Sequence, residues 1–216
     1  VTLTILASDS CTDVETHVVN ILPNPIANFS HDTETCEDSG LQFNDLTQTN
    51  GGGSIISWDW DFGDPVSGLD NFSTEQNPVH VYANPGSYSV VLAVTTSNGC
   101  TDTDTLVVTI NANPVVGFIT FHECQNEAMN FAPAGSMTTA NFANWFWDFD
   151  HNGITSTMQS PTHVYDVPGD YEVTLTVIDI NGCPNSITQT VHVTAQPTAG
   201  FTYETPACSD SEIQFN

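Results

Sequence analysis

Two short stretches constrain this chain more than anything else in it. They are Trp58-Asp59-Trp60-Asp61-Phe62-Gly63-Asp64 and Trp145-Phe146-Trp147-Asp148-Phe149-Asp150. In both, bulky rings recur at every second residue, and side chains at that spacing share one face of a β-strand. Trp58, Trp60 and Phe62 are expected on a buried face, with Asp59 and Asp61 toward water. Trp145, Trp147 and Phe149 repeat the arrangement. Aromatic rings are the largest apolar side chains a small domain can bury, so these six are the candidate core and their strands the expected centre of each domain.

The surrounding sequence repeats as well. Pro25-Ile26-Ala27-Asn28-Phe29 returns as Pro114-Val115-Val116-Gly117-Phe118 and as Pro197-Thr198-Ala199-Gly200-Phe201. Asn77-Pro78-Val79-His80-Val81-Tyr82 returns as Ser160-Pro161-Thr162-His163-Val164-Tyr165. Asn98-Gly99-Cys100 returns as Asn181-Gly182-Cys183, with Asp9-Ser10-Cys11 as a counterpart near the start. The organisation expected from this is the last two strands of one repeat at 1–24, complete repeats at 25–112 and 113–196, and the first two strands of another at 197–216. Both ends fall inside strand patterns and read as cut from a longer chain. The joins are short and carry Pro, which makes them stiff.

Within 25–112 the expected strands are A (26–30), B (41–46), C (55–62), E (79–82), F (87–96) and G (104–110), with an irregular stretch at 63–76. Asn98-Gly99 suits a tight hairpin, since both residues tolerate positive φ. No segment shows helical periodicity. The fold class is therefore all-β, a tandem of immunoglobulin-like two-sheet sandwiches.

Trp60-Asp61-Phe62-Gly63-Asp64, then Asn77-Pro78-Val79-His80-Val81-Tyr82, Pro85-Gly86-Ser87-Tyr88 and a Val-rich hairpin resemble the PKD (polycystic kidney disease) repeat. Counting partial repeats, the resemblance covers essentially the whole chain. The second copy departs from it at Asp150, where the family usually has Gly. One cysteine before strand B and one in the F–G turn resemble the version common in secreted Bacteroidetes surface proteins. The resemblance implies a PKD-type sandwich used as a spacer, adhesive or recognition module at cell surfaces, with no catalysis of its own.

Charge narrows the partners. The chain has 26 Asp and Glu, no Lys and no Arg, for a formal net charge of −26. Side-chain ion pairs need His or a terminus. The other carboxylates must be solvated, hydrogen-bonded to backbone amides, or bound to cations. Nucleic acid is excluded, because phosphate contacts come mainly from Lys and Arg, and anionic membrane surfaces are excluded on the same ground. No apolar run approaches the ~18 residues of a membrane span, so membrane insertion is not expected, and no signal-peptide pattern opens the chain.

No cofactor is required by any motif; calcium is the one candidate. Asp148, Asp150 and Asn152 supply oxygens at the first, third and fifth positions of a loop with Gly153 at the sixth, as a calcium loop begins. Gln159 at the twelfth position keeps a plain Asx-type turn as the competing reading. Asp61, Asp64 and Asp70 occupy the corresponding area of the first repeat. His80 and His163 are read as structural. Asp59 and Asp61 share one strand face and do not oppose each other across a cleft as glycoside hydrolysis needs. No catalytic residue is assigned. Asn28 and Asn71 head Asn-x-Ser patterns for N-glycosylation, with Asn71 in the irregular stretch the better acceptor. Thr105, in Asp104-Thr105-Leu106, resembles a Bacteroidetes O-glycosylation site.

The six cysteines occupy two repeat positions. Cys36, Cys124 and Cys208 lie in the A–B connection; Cys11, Cys100 and Cys183 lie just after the F–G turn. Such regularity reads as disulfides rather than metal or catalysis. Counting strand directions puts the two positions at opposite ends of a domain. A strand of about seven residues spans roughly 23 Å, whereas bridged Cα atoms lie within about 7 Å. The expected bond is Cys36–Cys183 between neighbouring repeats, with Cys100 and Cys124 pairing to repeats before and after. An extra strand within 63–76 would invert the count and put the bonds inside domains. The expected function is a structural segment of a long, secreted extracellular fibre or adhesin stalk, whose partners are neighbouring repeats and surface glycans. The alternative is an accessory carbohydrate-binding tandem of a secreted polysaccharide-degrading enzyme, which an exposed aromatic platform would mark.

Overall fold

A hairpin comes first, β1 (Thr2–Leu6) and β2 (Thr12–Thr16), paired antiparallel with all its residues exposed. A computed structural model describes residues 1–33, 35–134 and 142–202. The chain divides into two units, Val1–Ala112 and Asn113–Asn216. The first goes on with β3 (Phe29–His31), β4 (Gly40–Asp45), β5 (Ile55–Asp61), a 3-10 helix η1 (Pro65–Asn71), β6 (Phe72–Ser73), β7 (Val79–Val81), β8 (Gly86–Thr96) and β9 (Thr101–Ile110). These form two antiparallel sheets, β3-β4-β7 and β6-β5-β8-β9. The second unit contains β10 (Phe118–Phe121), β11 (Ala128–Pro133), β12 (Phe142–Asp148), β13 (Thr155–Ser156), β14 (Thr162–Val164), β15 (Gly169–Asp179) and β16 (Pro184–Val193), in sheets β10-β11-β14 and β13-β12-β15-β16.

Alternation decides which side chains fill the space between sheets. Along β8, Val90, Leu92 and Val94 are buried while Ser89 is exposed and Val91 and Ala93 are only half-buried. Trp60 and Phe62 meet them from the same sheet, and Phe29, Leu41, Phe43 and Tyr82 from the other side of the core. The Trp60 ring stands nearly perpendicular to Phe29, with centroids 5.1 Å apart, the edge-to-face geometry that aromatic quadrupoles favour. Trp147 meets Phe118 in the same way at 5.2 Å. Trp58 and Trp145, expected to be fully buried, are instead half-buried at the core rim. For Trp58 the reason is polar: its Nε1–H donates to Asp45 Oδ2 at 2.8 Å, which holds the indole edge near water.

The stretch expected to be irregular is an ordered excursion. η1 and β6 fill part of it, and Val66, Leu69 and Phe72 point outward. β5 is antiparallel to both β6 and β8, and β7 is antiparallel to β4. A parallel bridge from Cys36 to Asn111, at the end of β9 far from its turn with β8, puts that turn and the connection after β3 at opposite ends of the sandwich. Gly63 precedes η1 with a φ of 68°, and a Cβ there would lie 2.6 Å from the Ser89 carbonyl oxygen. Asp150 keeps the left-handed conformation in the second unit, at φ 52°. Its Oδ2 accepts from the Glu172 N–H at 3.1 Å, so a side-chain bond ties the same two segments together.

Candidate functional site at the two ends of each domain

One end of each sandwich is closed by a change of sheet. After β3 the chain crosses over and runs parallel to the residue just past β9, in a bridge between Cys36 and Asn111. The Asn111 N–H donates to Thr35 O at 2.7 Å and the Glu37 N–H to Asn111 O at 2.9 Å. The Asn111 side chain adds a bond to Thr35 Oγ1 at 3.2 Å. Cys36 is buried in this clasp. The second unit repeats it: Cys124 bridges Thr194 in parallel, and Thr194 N and Oγ1 both donate to Glu123 O. These are the ends at which the chain leaves each sandwich.

The opposite end carries the other cysteines. In the β8–β9 turn, Cys100 N–H donates to the buried Thr96 Oγ1 at 3.1 Å, and Thr96 N–H returns a bond to Cys100 O. Asp102 Oδ2, close by, accepts from Ala27 N–H at 2.9 Å and ties the entering segment to this turn. In the second unit, Asp179 replaces Thr96. Its Oδ1 accepts from Cys183 N–H at 2.8 Å and Asn181 N–H at 2.9 Å, and Asn185 Nδ2 donates to Pro114 O at 2.7 Å. These are the ends at which the chain enters.

The ten residues of β9 separate Cys100 from Asn111, so the two cysteine positions of one domain stand about 33 Å apart at ~3.3 Å per residue. No disulfide spans that. Cys36 and Cys183 are both in the disulfide form, whereas Cys11, Cys100 and Cys124 are free thiols. Cys208 lies outside the described residues.

The remaining candidates sit apart from these ends. Asp148 Oδ1 accepts from Asp150 N–H at 3.0 Å, while Asp150 reaches across to Glu172. Asn152 Nδ2 contacts His151 Nε2 at 2.9 Å. The loop closes as an Asx-type turn at Asp148, with the Asp148 and Asp150 carboxylates each accepting from a backbone amide. Among the described residues no group of three or more His, Cys, Asp or Glu is arranged to hold a metal ion. Asn71 is not the better glycan acceptor. It is buried, its Nδ2 donates to Asp61 Oδ1 at 2.8 Å, and its Oδ1 accepts from Asp64 N–H. Asn28 and Thr105 are exposed.

The PKD domain family model matches residues 22–110 and again 111–195. The chain belongs to the PKD domain family. Its PKD segments are similar to part of a microbial collagenase of Vibrio alginolyticus, 37% identical over 98 residues, covering 45% of this chain and 11% of the collagenase. They are also similar to collagenase ColQ1 of Bacillus cereus (strain Q1), 36% identical over 86 residues, covering 40% of this chain and 8% of that one. The chain therefore spans about a tenth of these relatives' length. Among solved structures, the PKD1 domain of Vibrio anguillarum Epp is 27% identical with a TM-score of 0.37, covering 43% of this chain and 99% of that domain. The PKD1 domain of the Vibrio cholerae metalloprotease PrtV is 30% identical with a TM-score of 0.35, covering 41% and 99%.

The two PKD domains differ behind their shared histidine. His80 is stacked on Phe62 at 4.3 Å, and its Nε2 lies 3.3 Å from Asp64 Oδ2 in a buried pair. His151 stands where Asp64 does. Its Nδ1 is 2.9 Å from His163 Nε2, and its Nε2 is 2.9 Å from Asp166 Oδ1. Burial, and then the His151 ring, hold His163 below its usual range. Beside each pair a tyrosine hydroxyl donates to the core strand end, Tyr82 to Phe62 O at 3.0 Å and Tyr165 to Phe149 O at 3.1 Å. Burial, followed by nearby Asp64 for Tyr82 and Tyr171 for Tyr165, pushes both phenols upward. The exchange of Asp64 for His151 is visible when the repeats are aligned; the tyrosine ties carry no sequence signal beyond the repeated Tyr.

Proposed function

We propose that this chain is a non-catalytic, extracellular structural segment, in which successive PKD domains are locked end to end as a fibre or adhesin stalk. One observation carries the reading: each domain holds its first cysteine position where the chain leaves and its second where the chain enters. At any join, the A–B cysteine of one domain and the F–G cysteine of the next flank the same short linker. Cys36 lies beside Asn111, and Cys183 lies near Asn185, which binds Pro114. We assign Cys36–Cys183 as the bond across the join at Ala112 and Asn113. By the same rule, Cys100 pairs with the A–B cysteine of a repeat before it, and Cys124 with the F–G cysteine of a repeat after it. Disulfides persist in oxidising compartments, which supports a location outside the cell, as does the likeness to collagenases and proteases. The partners are neighbouring repeats, and Asn28 and Thr105 are the positions open to glycans.

Electron microscopy of the intact molecule tests this. A regular filament of beads is the expected image, and a compact globule with a short tail would overturn it. The likeness to collagenases supports a second reading, an accessory tandem of a secreted degradative enzyme. Among the described residues the exposed Phe72, Phe121 and Phe146 belong to three different sheets and the exposed Phe201 to none, so this accessory would act as a spacer. A sugar-binding platform needs rings together on one face.

A further inference from the structure

The excursion between β5 and β7 holds apolar side chains out to solvent, and it is pinned. Asn71 anchors it through Asp61, Asp64 and the Phe62 N–H, and both N–H and Oγ of Ser67 donate to Asp64 O. η1 carries Leu69, 90% exposed, and Val66, 79% exposed. Beside it a cavity of about 390 Å³ opens between β6 and β7, with Phe72, Val79 and Val81 on its walls, the Phe62 and His80 rings also lining it, and Asp70 and Glu75 among its residues. Soluble domains seldom expose contiguous apolar surface without a partner for it.

Both strands bordering the cavity are sheet edges. The carbonyls of Pro78 and Tyr82 accept from the β4 side, from Phe43 and Asp38. Antiparallel pairing alternates, so Val79 and Val81 turn their N–H and C=O groups to the open edge. An extended segment laid there would continue the sheet and place alternate side chains in the cavity. The acidic residues select its charge. Asp70 and Glu75 face a partner in a chain with 26 acidic residues and no Lys or Arg, so a second copy would be repelled and a basic segment attracted.

We propose that this edge of the first PKD domain binds an extended polypeptide segment of another protein, with β-branched apolar residues alternating with Lys or Arg. Among the described residues of the second domain no helix follows β12 as η1 follows β5, which makes the site particular to the first. The inference goes beyond the structural role and holds for a stalk or an accessory tandem alike.

The test is fluorescence anisotropy on the full chain with three labelled peptides of equal length: alternating Val and Lys, alternating Ser and Lys, and alternating Val and Glu. The Val–Lys peptide is expected to bind saturably at one site, with the other two at least about tenfold weaker. Two variants locate the site. Val81→Pro removes an outward N–H and leaves the β4 ladder intact, as proline on an edge strand does. Phe72→Ser removes an exposed ring. Each should weaken Val–Lys binding roughly tenfold with an unchanged melting curve. Equal binding of the Val–Lys and Ser–Lys peptides would overturn the proposal, because attraction would then come from net charge alone. Binding unaffected by both variants, or a self-associated chain dispersed by Val81→Pro, would overturn it equally.

Discussion

Trp60 concentrates the first domain's stability in one side chain. It is 2% exposed, it packs on Phe29 and Phe43, and its Nε1–H donates to Glu75 O at 2.9 Å. Trp60→Ala should cost roughly 3–5 kcal/mol, against about 5–15 kcal/mol for a whole domain. Asp59→Ala, on the outward face of the same strand, should stay within about 0.5 kcal/mol. Urea unfolding of the two variants checks the strand phase, and equal losses would contradict it. Asn71→Ala should cost about 1–3 kcal/mol by leaving buried partners unsatisfied, and peptide mass spectrometry should find Asn71 without glycan. His163 gives the second domain an acid limit. Its folded pKa lies below the ordinary 6.5 because burial, then His151, disfavour the cation. Asp166 and Asp150 are the carboxylates around this histidine pair and its tyrosines. Between the folded and unfolded values the unfolded chain binds more protons, so the His163 contribution is complete above 6.5 and falls as pH drops below it. Hydrogen-exchange protection across β11 and β14, corrected for the intrinsic rate, should fall over that window, and His163→Gln should flatten the dependence.

At the scale of elements, most of the fold was legible because buried strands advertise themselves by alternation. β5 and β8 lie close to the expected bounds, β9 begins three residues before the expected start at 104, and β12, β15 and β16 repeat the arrangement in the second unit. η1 was not legible, because its apolar residues face solvent and its anchor is the polar Asn71, whose surrounding pattern looks like a glycan acceptor. The two positions of the cysteines were legible from the repeat. The clasp that fixes one of them was not, since a single parallel bridge between Cys36 and Asn111 has no periodicity. The clasp also relies on the Asn111 side chain, bonded to both Thr35 O and Thr35 Oγ1. Asn111→Ala should therefore loosen the end of β9 without melting its middle. Faster hydrogen exchange at Glu37 and Asn111, with Val108 unchanged, is the expected pattern.

For the whole molecule, uncompensated negative charge opposes the compact state. Carboxylates without Lys or Arg repel one another, and many are used as turn caps: Asp45 to Thr47, Asp61 to Gly63, Asp148 to Asp150, Asp179 to Cys183. At Asp45, burial alone would raise the carboxyl, but bonds from Thr47, Gln76 and Trp58 outweigh it and hold the group below 3.8. Added salt shortens the screening length from about 30 Å at 0.01 M to about 3 Å at 1 M. The melting midpoint should thus rise with sodium chloride. Calcium at matched ionic strength should add nothing further, since the Asp148 and Asp150 carboxylates already accept from the Asp150 and Glu172 N–H groups. The cysteines are proposed to join neighbouring domains rather than the two ends of one domain. Peptide mapping without reduction tests it most directly, after alkylation of free thiols and cleavage at Asp and Glu, because the chain offers no Lys or Arg to cut. A linked Cys36–Cys183 peptide pair is expected, with Cys100 and Cys124 absent from any linkage inside their own domains; a Cys36–Cys100 or Cys124–Cys183 linkage would rule out the assignment.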